Sequence, residues 1–408
     1  MSYVLGARCV RCGRQYSPLT GPAACSCGGM LDIRYDYGAI RRAVSRETIS
    51  RSGDYSMWRF RAFLPVGEGT PPAPLRVGWS PLYEAPRLAS LAGIGRLYVK
   101  DDGLNPTGSL KDRASAMAVA KAREAGAQVI CCASTGNAGS SLAGNAAAAG
   151  LDAVIFIPSR APQGKVAQLK IFGAEVIMVE GSYEDAFRLS AEAISRYGWY
   201  DRNAAVNPFM VEGKKTVSFE IAEQLNWQVP DWVAVSVGDG CTIAGVWKGF
   251  TDLFAAGLID RLPRLLSVQA AGCCPIHRAY RSGGMIEASA EDTIADSIAV
   301  GVPRNPDKAI LAIRESGGIA VEVSDEEIME AMRVLGRVQG VFAEPAGAAG
   351  MAGLMKAARE GLVAADASAV ALVTGNGLKD TRNAIRAAGE PLRVPPDFRL
   401  PEKWPPRA

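Results

Sequence analysis

The stretch NPTGSLKDR, residues 105–113, carries one lysine, Lys111, behind a turn-forming Pro-Thr-Gly-Ser. A primary amine adds to aldehydes and, once free of its proton, removes protons from carbon. Thr107-Gly108-Ser109 reads as a helix start with Ser109 as its cap. Lys111 then falls in the first turn, where the helix macrodipole disfavours a cation. Such a lysine either turns to water or loses its charge through chemistry such as a Schiff base; taken alone, the stretch favours the solvated amine. Three more stretches have the composition of strand-to-helix loops. Ser134-Thr135-Gly136-Asn137 offers hydroxyls and free amides at a helix start, suited to a carboxylate or serving only as a cap. Gly238 and Gly240 in SVGDGCTIAG let the backbone approach a phosphate, although the Walker lysine and the full Rossmann spacing are missing. ALVTGNGLKD brings Thr374 and two glycines to the end of an apolar run.

Four cysteines supply a second kind of chemistry. Cys9-x-x-Cys12 and Cys25-x-Cys27, flanked by glycines, have the layout of a zinc ribbon, the second pair one residue shorter than usual. The alternative is a degenerate ribbon without metal. Four thiolates leave no open position for substrate, so a metal there is structural. Nine cysteines in 408 residues do not read as a disulfide framework, and a reducing cytoplasm is expected. His277 is the one histidine and reads as a packing or surface imidazole. Triads and multi-histidine metal centres would have to be built on that single ring.

The elements that must position these groups alternate. RLYVK reads as a strand and is followed by a helix from about Ser109 to Ala125. QVICCA leads to a small-residue helix from Asn137 to Ala149, DAVIFIP to one ending at Phe172, and EVIMV to one from Tyr183 to Arg196. WVAVSV, LLSVQA, AVEV and AVALVT follow with helical segments between them. This order predicts an α/β protein with parallel sheets covered by helices and ligands beyond the carboxyl ends of the strands. Residues 64–80, rich in Pro and Gly, read as an extended linker. Hydrophobic residues make up 48% and charged residues 21%, with a net charge of +3. That balance gives no reason to expect nucleic acid or membrane as a partner, and neither a membrane span nor a signal peptide is expected.

Each loop is ambiguous singly, but their order and residue types resemble the fold-type II pyridoxal-phosphate (PLP) enzymes, and most closely the threonine synthase family. The resemblance is carried by CVRC…CSCGG, GWSPLYEAPRLA, NPTGSLKDRA, STGNAGSS, NPFMVEGKKT, the glycine loop, TIADSIAVG, AIRESGGIAVEVSDEEI, FAEPAGAA and VTGNGLKD. It implies a tryptophan synthase β-like fold of two parallel-sheet α/β domains behind a ribbon-like segment. The implied division is a ribbon at 1–40, an N-terminal extension and linker at 41–80, a large cofactor domain from 81–106 plus 206–400, and a small domain at 107–205. A cytoplasmic homodimer acting on a small amino acid is implied as well.

The resemblance overturns the solvated reading of Lys111, which becomes the Schiff-base lysine and the base at Cα. It also implies that Asn137 bonds the phenolic oxygen of the cofactor. Gly238, Asp239, Gly240, Cys241 and Thr242 would cradle its phosphate, and Thr374 would face its ring nitrogen. Ser134, Thr135 and Gly136 would hold the substrate carboxylate, and Glu344 would support the ring. A hydroxyl at the ring nitrogen is a weaker partner than a carboxylate and suits elimination and replacement rather than transamination.

Where the family's bacterial members place an arginine and a serine for the substrate phosphate, this chain has Met210 and Ala205; Ala138 and Thr242 replace a threonine and an asparagine. Losing the partner of a desolvated phosphate costs on the order of 2–5 kcal/mol. Arg160, Lys165, Arg202 and Lys214 are the cations that could replace it. The expected activity is therefore a PLP-dependent β- or γ-elimination or replacement on an α-amino acid. The apolar substitutions lean toward an uncharged leaving group. The alternatives are a threonine synthase with a rebuilt phosphate site, a threonine or serine dehydratase, a cysteate-synthase-like enzyme, and a silent cofactor-binding relative.

Overall fold

The computed structural model describes residues 3–17, 24–134, 136–159, 163–203 and 206–399, without the side chains of 163–165. Thr135, Ala205 and Arg160, and the side chain of Lys165, lie outside this set.

The chain opens with a small antiparallel sheet, β1 (Val4–Cys9), β2 (Gln15–Tyr16) and β3 (Leu31–Tyr35), in the order β2-β1-β3. Two short helices follow, α1 (Tyr37–Ala43) and α2 (Arg46–Ser50). Residues 64–80 are irregular, as expected of a linker. They are nonetheless packed: Leu64, Val66, Ala73 and Val77 are buried in one apolar cluster with Met117 and Leu142.

The main body begins with β4 (Leu82–Glu84), α3 (Pro86–Ala92), β5 (Arg96–Asp101) and α4 (Lys111–Glu124). Next come β6 (Val129–Ala133), α5 (Asn137–Ala149), β7 (Asp152–Pro158), α6 (Gln163–Ile171), β8 (Glu175–Val179), α7 (Tyr183–Tyr197) and β9 (Tyr200–Asp201). The chain continues through α8 (Phe209–Lys214), α9 (Thr216–Gln224), β10 (Trp232–Ser236), α10 (Cys241–Ala255), β11 (Arg264–Ala270), α11 (Pro275–Ser282) and α12 (Pro306–Glu315). It closes with β12 (Ile319–Val323), α13 (Asp325–Val334), α14 (Pro345–Arg359), β13 (Ser368–Val373) and α15 (Thr381–Ala388).

A six-stranded sheet runs β12-β11-β10-β13-β5-β4 and a four-stranded sheet β8-β7-β6-β9. Every pair is parallel except β4 with β5. That antiparallel edge departs from the expected all-parallel sheets. The connection from β4 to β5, residues 85–95, is shorter than the dozen or so residues a parallel crossover needs. Central strands β10 and β13 are buried at every position and read as unbroken apolar runs because helices cover both faces. Leu88, Ile328, Met351 and Leu354 fill one face, and Phe219, Ile243, Phe250 and Ile313 the other. In the smaller sheet the period of two shows along β6: Ile130 and Cys132 join one cluster, Cys131 and Ala133 the other. Both sheets present their strand ends to a shared cleft, lined by Ser134 after β6, Pro158 of β7, Gly238 after β10 and Thr374 after β13.

Helix α4 is buried from Asp112 to Ala122, and alanine or serine at 114, 115, 116, 118, 120 and 122 lets neighbouring elements approach it closely. It lies against α8 so closely that a Cβ on Gly213 would collide with the carbonyl of Arg113 and meet Ala114 Cα at 3.0 Å. This crossing fixes α8 beside the first turn of α4.

Candidate active site

Lys111 opens α4, but Ser109 is not its cap. The N-cap position is Leu110, without a side-chain cap, and the Ser109 hydroxyl is buried with no partner among the described residues. Asp112 anchors the turn instead. Its carboxylate accepts the Thr107 amide (2.7 Å) and hydroxyl (2.7 Å), the Ser141 hydroxyl (2.8 Å) and Asn145 Nδ2 (3.0 Å). Four donors hold a fully buried carboxylate, and the loop before Lys111 is thereby tied to α5. On the other flank Arg113 forms a two-pronged bond to Asp102 (2.6 and 2.8 Å) and also donates to Glu220, which Lys100 pairs at 2.7 Å. Opposed pairs neutralise this buried cluster, and the two cations hold the Glu220 carboxyl down to about 2. The Leu110 amide donates to the Thr374 carbonyl at 2.9 Å, joining the lysine loop to the end of β13.

The Lys111 amine enters a cleft of about 600 Å³. It has no hydrogen bond or ion pair among the described residues. Burial and the neighbouring Lys214 push it down to about 8, against the pull of Glu344. Arg202 and Lys214 line the same cleft and are 1% and 3% exposed. Arg202 bonds Ser115 Oγ at 3.1 Å. Neither cation has an ion-pair partner among the described residues, and burial lowers both. Three basic groups of one sign, desolvated together, make a site for anions.

Two helix N-termini face this field. Gly240 caps α10 at φ +90, and no side chain caps that helix. The first amides of α10 have no acceptor within the helix. A Cβ on Gly240 would meet the Asn305 carbonyl at 2.5 Å and Ala309 at 2.8 Å, so only glycine fits there. At α5, Gly136 takes the N-cap place without a side-chain bond, and the Ser134 hydroxyl accepts the Gly136 amide at 3.2 Å. Asn137 Nδ2 donates to Glu344 Oε1 at 2.6 Å, which fixes the amide plane and leaves its second N–H free to donate. Glu344 is itself the N-cap residue of α14. Uncapped amides, permissive glycines, buried cations and the lowered amine of Lys111 suit an aldehyde-bearing phosphate ester.

Residues 74–375 match the family described as pyridoxal-phosphate dependent enzyme. Threonine synthase of Methanocaldococcus jannaschii is 42% identical over 396 residues, covering 96% of this chain and 97% of that one. That of Methanosarcina acetivorans is 40% identical over 391 residues, 95% of each. The chain belongs to the threonine synthase family. It is accordingly a PLP-dependent carbon–oxygen lyase of the threonine synthase type. Solved structures share the fold at low identity. Escherichia coli diaminopropionate ammonia lyase superposes with a TM-score of 0.67 at 21% identity, over 82% of this chain and 93% of that one. Maize serine racemase gives 0.63 at 23%, over 73% and 88%.

The cleft of this threonine synthase relative collects Lys111, Ser134, Gly136, Asn137, Ala138, Gly238, Asp239, Gly240, Cys241, Thr242 and Thr374. Met210 is not among its lining. Its side chain is 0% exposed and belongs to the apolar cluster of Met117 and Leu142, because α8 turns that face toward α4. The expectation that Met210 contacts substrate is corrected accordingly. Thr135 and Ala205 fall outside the described residues. His277 is buried on α11, away from the cleft, as a packing ring.

The sequence reading overlooked Asp112, although it adjoins the lysine in the opening motif, and the wall formed by Tyr183, Phe187 and Arg304. Arg304 stacks over Phe187 at 4.2 Å, pairs with Glu184 at 2.7 Å and donates its amide to Asp239 at 3.1 Å. Nothing periodic marks it in GVPRNP. The sulfurs of Cys9, Cys12, Cys25 and Cys27 lie within 4.8 Å of one another.

Proposed function

We propose that this chain converts O-phosphohomoserine and water to threonine and phosphate, with Arg202 and Lys214 holding the leaving phosphate in place of the arginine that Met210 replaces. The observation that carries this reading is the pair of buried cations on the cleft, unpaired among the described residues. The neutral amides at the start of α10 suffice for one phosphate. Two further cations facing the same space call for a second anion, which an uncharged leaving group would not supply.

The residues divide the work. When bound, PLP supplies an electron sink that acidifies the Cα proton. Gly238 to Thr242 would offer its phosphate the helix amides, Asn137 would hold its ring oxygen, and Thr374 would partner its ring nitrogen without adding charge. Ser134 and the first amides of α5 hold the substrate carboxylate. Lys111, held near neutrality, takes the Cα proton and returns a proton further along the chain. Arg202 and Lys214 stabilise the charge that develops as the carbon–oxygen bond breaks and phosphate departs with the bonding electrons. Water then adds and completes threonine.

Cys9, Cys12, Cys25 and Cys27 are read as a zinc site. Cys9 and Cys27 sulfurs are 3.5 Å apart, as are those of Cys12 and Cys25. Tetrahedral zinc with bonds of about 2.3 Å sets sulfurs about 3.8 Å apart, so the thiols fit. No helix among the described residues is long and apolar enough to cross a membrane. A cytoplasmic homodimer follows from the resemblance alone.

Phosphate release and threonine formation from O-phosphohomoserine, set against 2-oxo acid formation from serine and threonine, test the assignment. Arg202→Met is expected to raise KM for the phosphorylated substrate at least about 30-fold while leaving the cofactor's visible band in place. Efficient 2-oxo acid formation with no phosphate release would sink the reading in favour of a dehydratase.

A further inference from the structure

The ribbon lies directly behind the glycine loop. Val10, between Cys9 and Cys12, and Met30, shortly after Cys27, pack with Val211 of α8 and Cys241 of α10 in one small apolar cluster. The Val10 amide donates to the Met30 carbonyl at 3.0 Å, joining the two knuckles. Gly29 fits only because it lacks a side chain: a Cβ there would be 2.6 Å from Cys9 Sγ and 3.2 Å from Cys27 Sγ. The sulfur cluster and the wall behind Cys241 are thus one packed unit.

Two polar routes run parallel to this contact. Asp32 on β3 pairs with Lys308 of α12 at 2.8 Å and Lys248 of α10 at 3.3 Å, and Arg11 pairs with Asp307 at 2.8 Å. Asn305, just before α12, donates its amide to the Asp239 carbonyl at 3.0 Å and its side chain to Cys241 Sγ at 3.6 Å. Through α8, Tyr35 on β3 donates to Glu212 at 2.6 Å, and Glu212 pairs with Lys215 at 2.5 Å, next to Lys214 of the cleft. The apolar contact and the α12 route therefore converge on the loop read as the phosphate cradle, while the α8 route ends beside Lys214 in the same cleft.

We propose that the cysteine ribbon is the back wall of the cofactor-phosphate cradle, so that metal in the ribbon and cofactor phosphate in the cleft tighten each other's binding. This rests on the readings of Gly238 to Thr242 as phosphate cradle and of the four cysteines as zinc site. The strands dock Ala7, Leu31, Ile33 and Tyr35 on the main core, whereas the two cysteine knuckles bury little apolar surface beyond Val10 and Met30 and depend on metal for their order. Loss of that order frees Val10 and Met30 from Cys241 and loosens the amides. Coupling between two sites is reciprocal, so each ligand changes the other's affinity by the same factor.

The test uses the full chain. Elemental analysis first establishes zinc per chain. Titration of the visible band then gives the PLP dissociation constant of zinc-loaded and chelator-stripped protein, and a metallochromic dye follows zinc release to chelator with PLP, with pyridoxal, or with neither. Stripping is expected to raise the PLP dissociation constant about tenfold or more. PLP is expected to slow zinc release, whereas pyridoxal, which lacks the phosphate, leaves it unchanged. Because Cys12→Ser risks unfolding the ribbon, Met30→Ala, which keeps all four thiols, serves as the second probe; it is expected to weaken PLP binding at full zinc content. An unchanged PLP constant in both the stripped protein and Met30→Ala overturns the inference, and so does equal protection by pyridoxal. A chain that binds PLP but no zinc overturns the metal reading together with the coupling. A zinc-loaded chain that binds no PLP overturns the cofactor-site reading, and the two failures are distinct in the readout.

Discussion

Lys111 is buried first and set beside cations second, and both lower its amine against the pull of Glu344. Burial and Lys214 bring the amine to about 8, so it is half neutral near that pH. Capture of PLP by the apoprotein is expected to accelerate as pH rises toward about 8 and to level off above it, measured as growth of the visible band after mixing. In Lys214→Met a neighbouring positive charge is gone, the lysine titrates higher, and the bend of that profile moves to higher pH. A profile unmoved by the substitution would show that Lys214 does not face the amine. Met210 gives the complementary case. Its side chain is fully buried in an apolar cluster, so Met210→Arg places an unpaired cation there at a cost of several kcal/mol. A lowered melting temperature with no gain in turnover is expected.

Among the elements, α4 and α8 carry the site between them. Their contact depends on a glycine: Gly213→Ala pushes a methyl group into the Arg113 carbonyl and is expected to cost about 1–3 kcal/mol, read in denaturant unfolding. The same shift moves Lys111 against Lys214, so cofactor capture should slow along with the loss of stability. The sequence displayed the elements of the smaller sheet better than this pair. Asn137–Ala149 appeared with both boundaries, because a helix-forming run of small residues stands between glycines, and β7 and β8 appeared whole as apolar runs between turns. The cap of α4 was misread because Ser109 has the right residue type, whereas the group that holds the turn, Asp112, follows it inside the helix. Met210 was misread because motif position says which helix a residue belongs to but not which face of a six-residue helix meets the cleft. The cationic pair was named among the candidates, yet nothing local to Arg202 or Lys214 shows that they converge: one follows β9 and the other ends α8.

At the scale of the whole molecule, both sheets aim their strand ends at one opening, and the N-terminal cysteine segment packs behind the same place through Val10 and Met30. The chemistry is therefore concentrated at one rim. The opposite rim holds the turns that lead from helix back to strand. Gly150, between α5 and β7, and Gly361, between α14 and β13, have open space where a side chain would go. A flexible insertion of a dozen or so residues at Gly361 is expected to leave the visible band and KM unchanged, whereas the same insertion after Gly238 abolishes the band. Loss of the band from both chains would mean that the far rim is not mechanically independent. The polarity of the two sheets thus divides the surface into a face that must be inherited whole and a face on which an engineer can hang a fluorophore, a tether or a second protein.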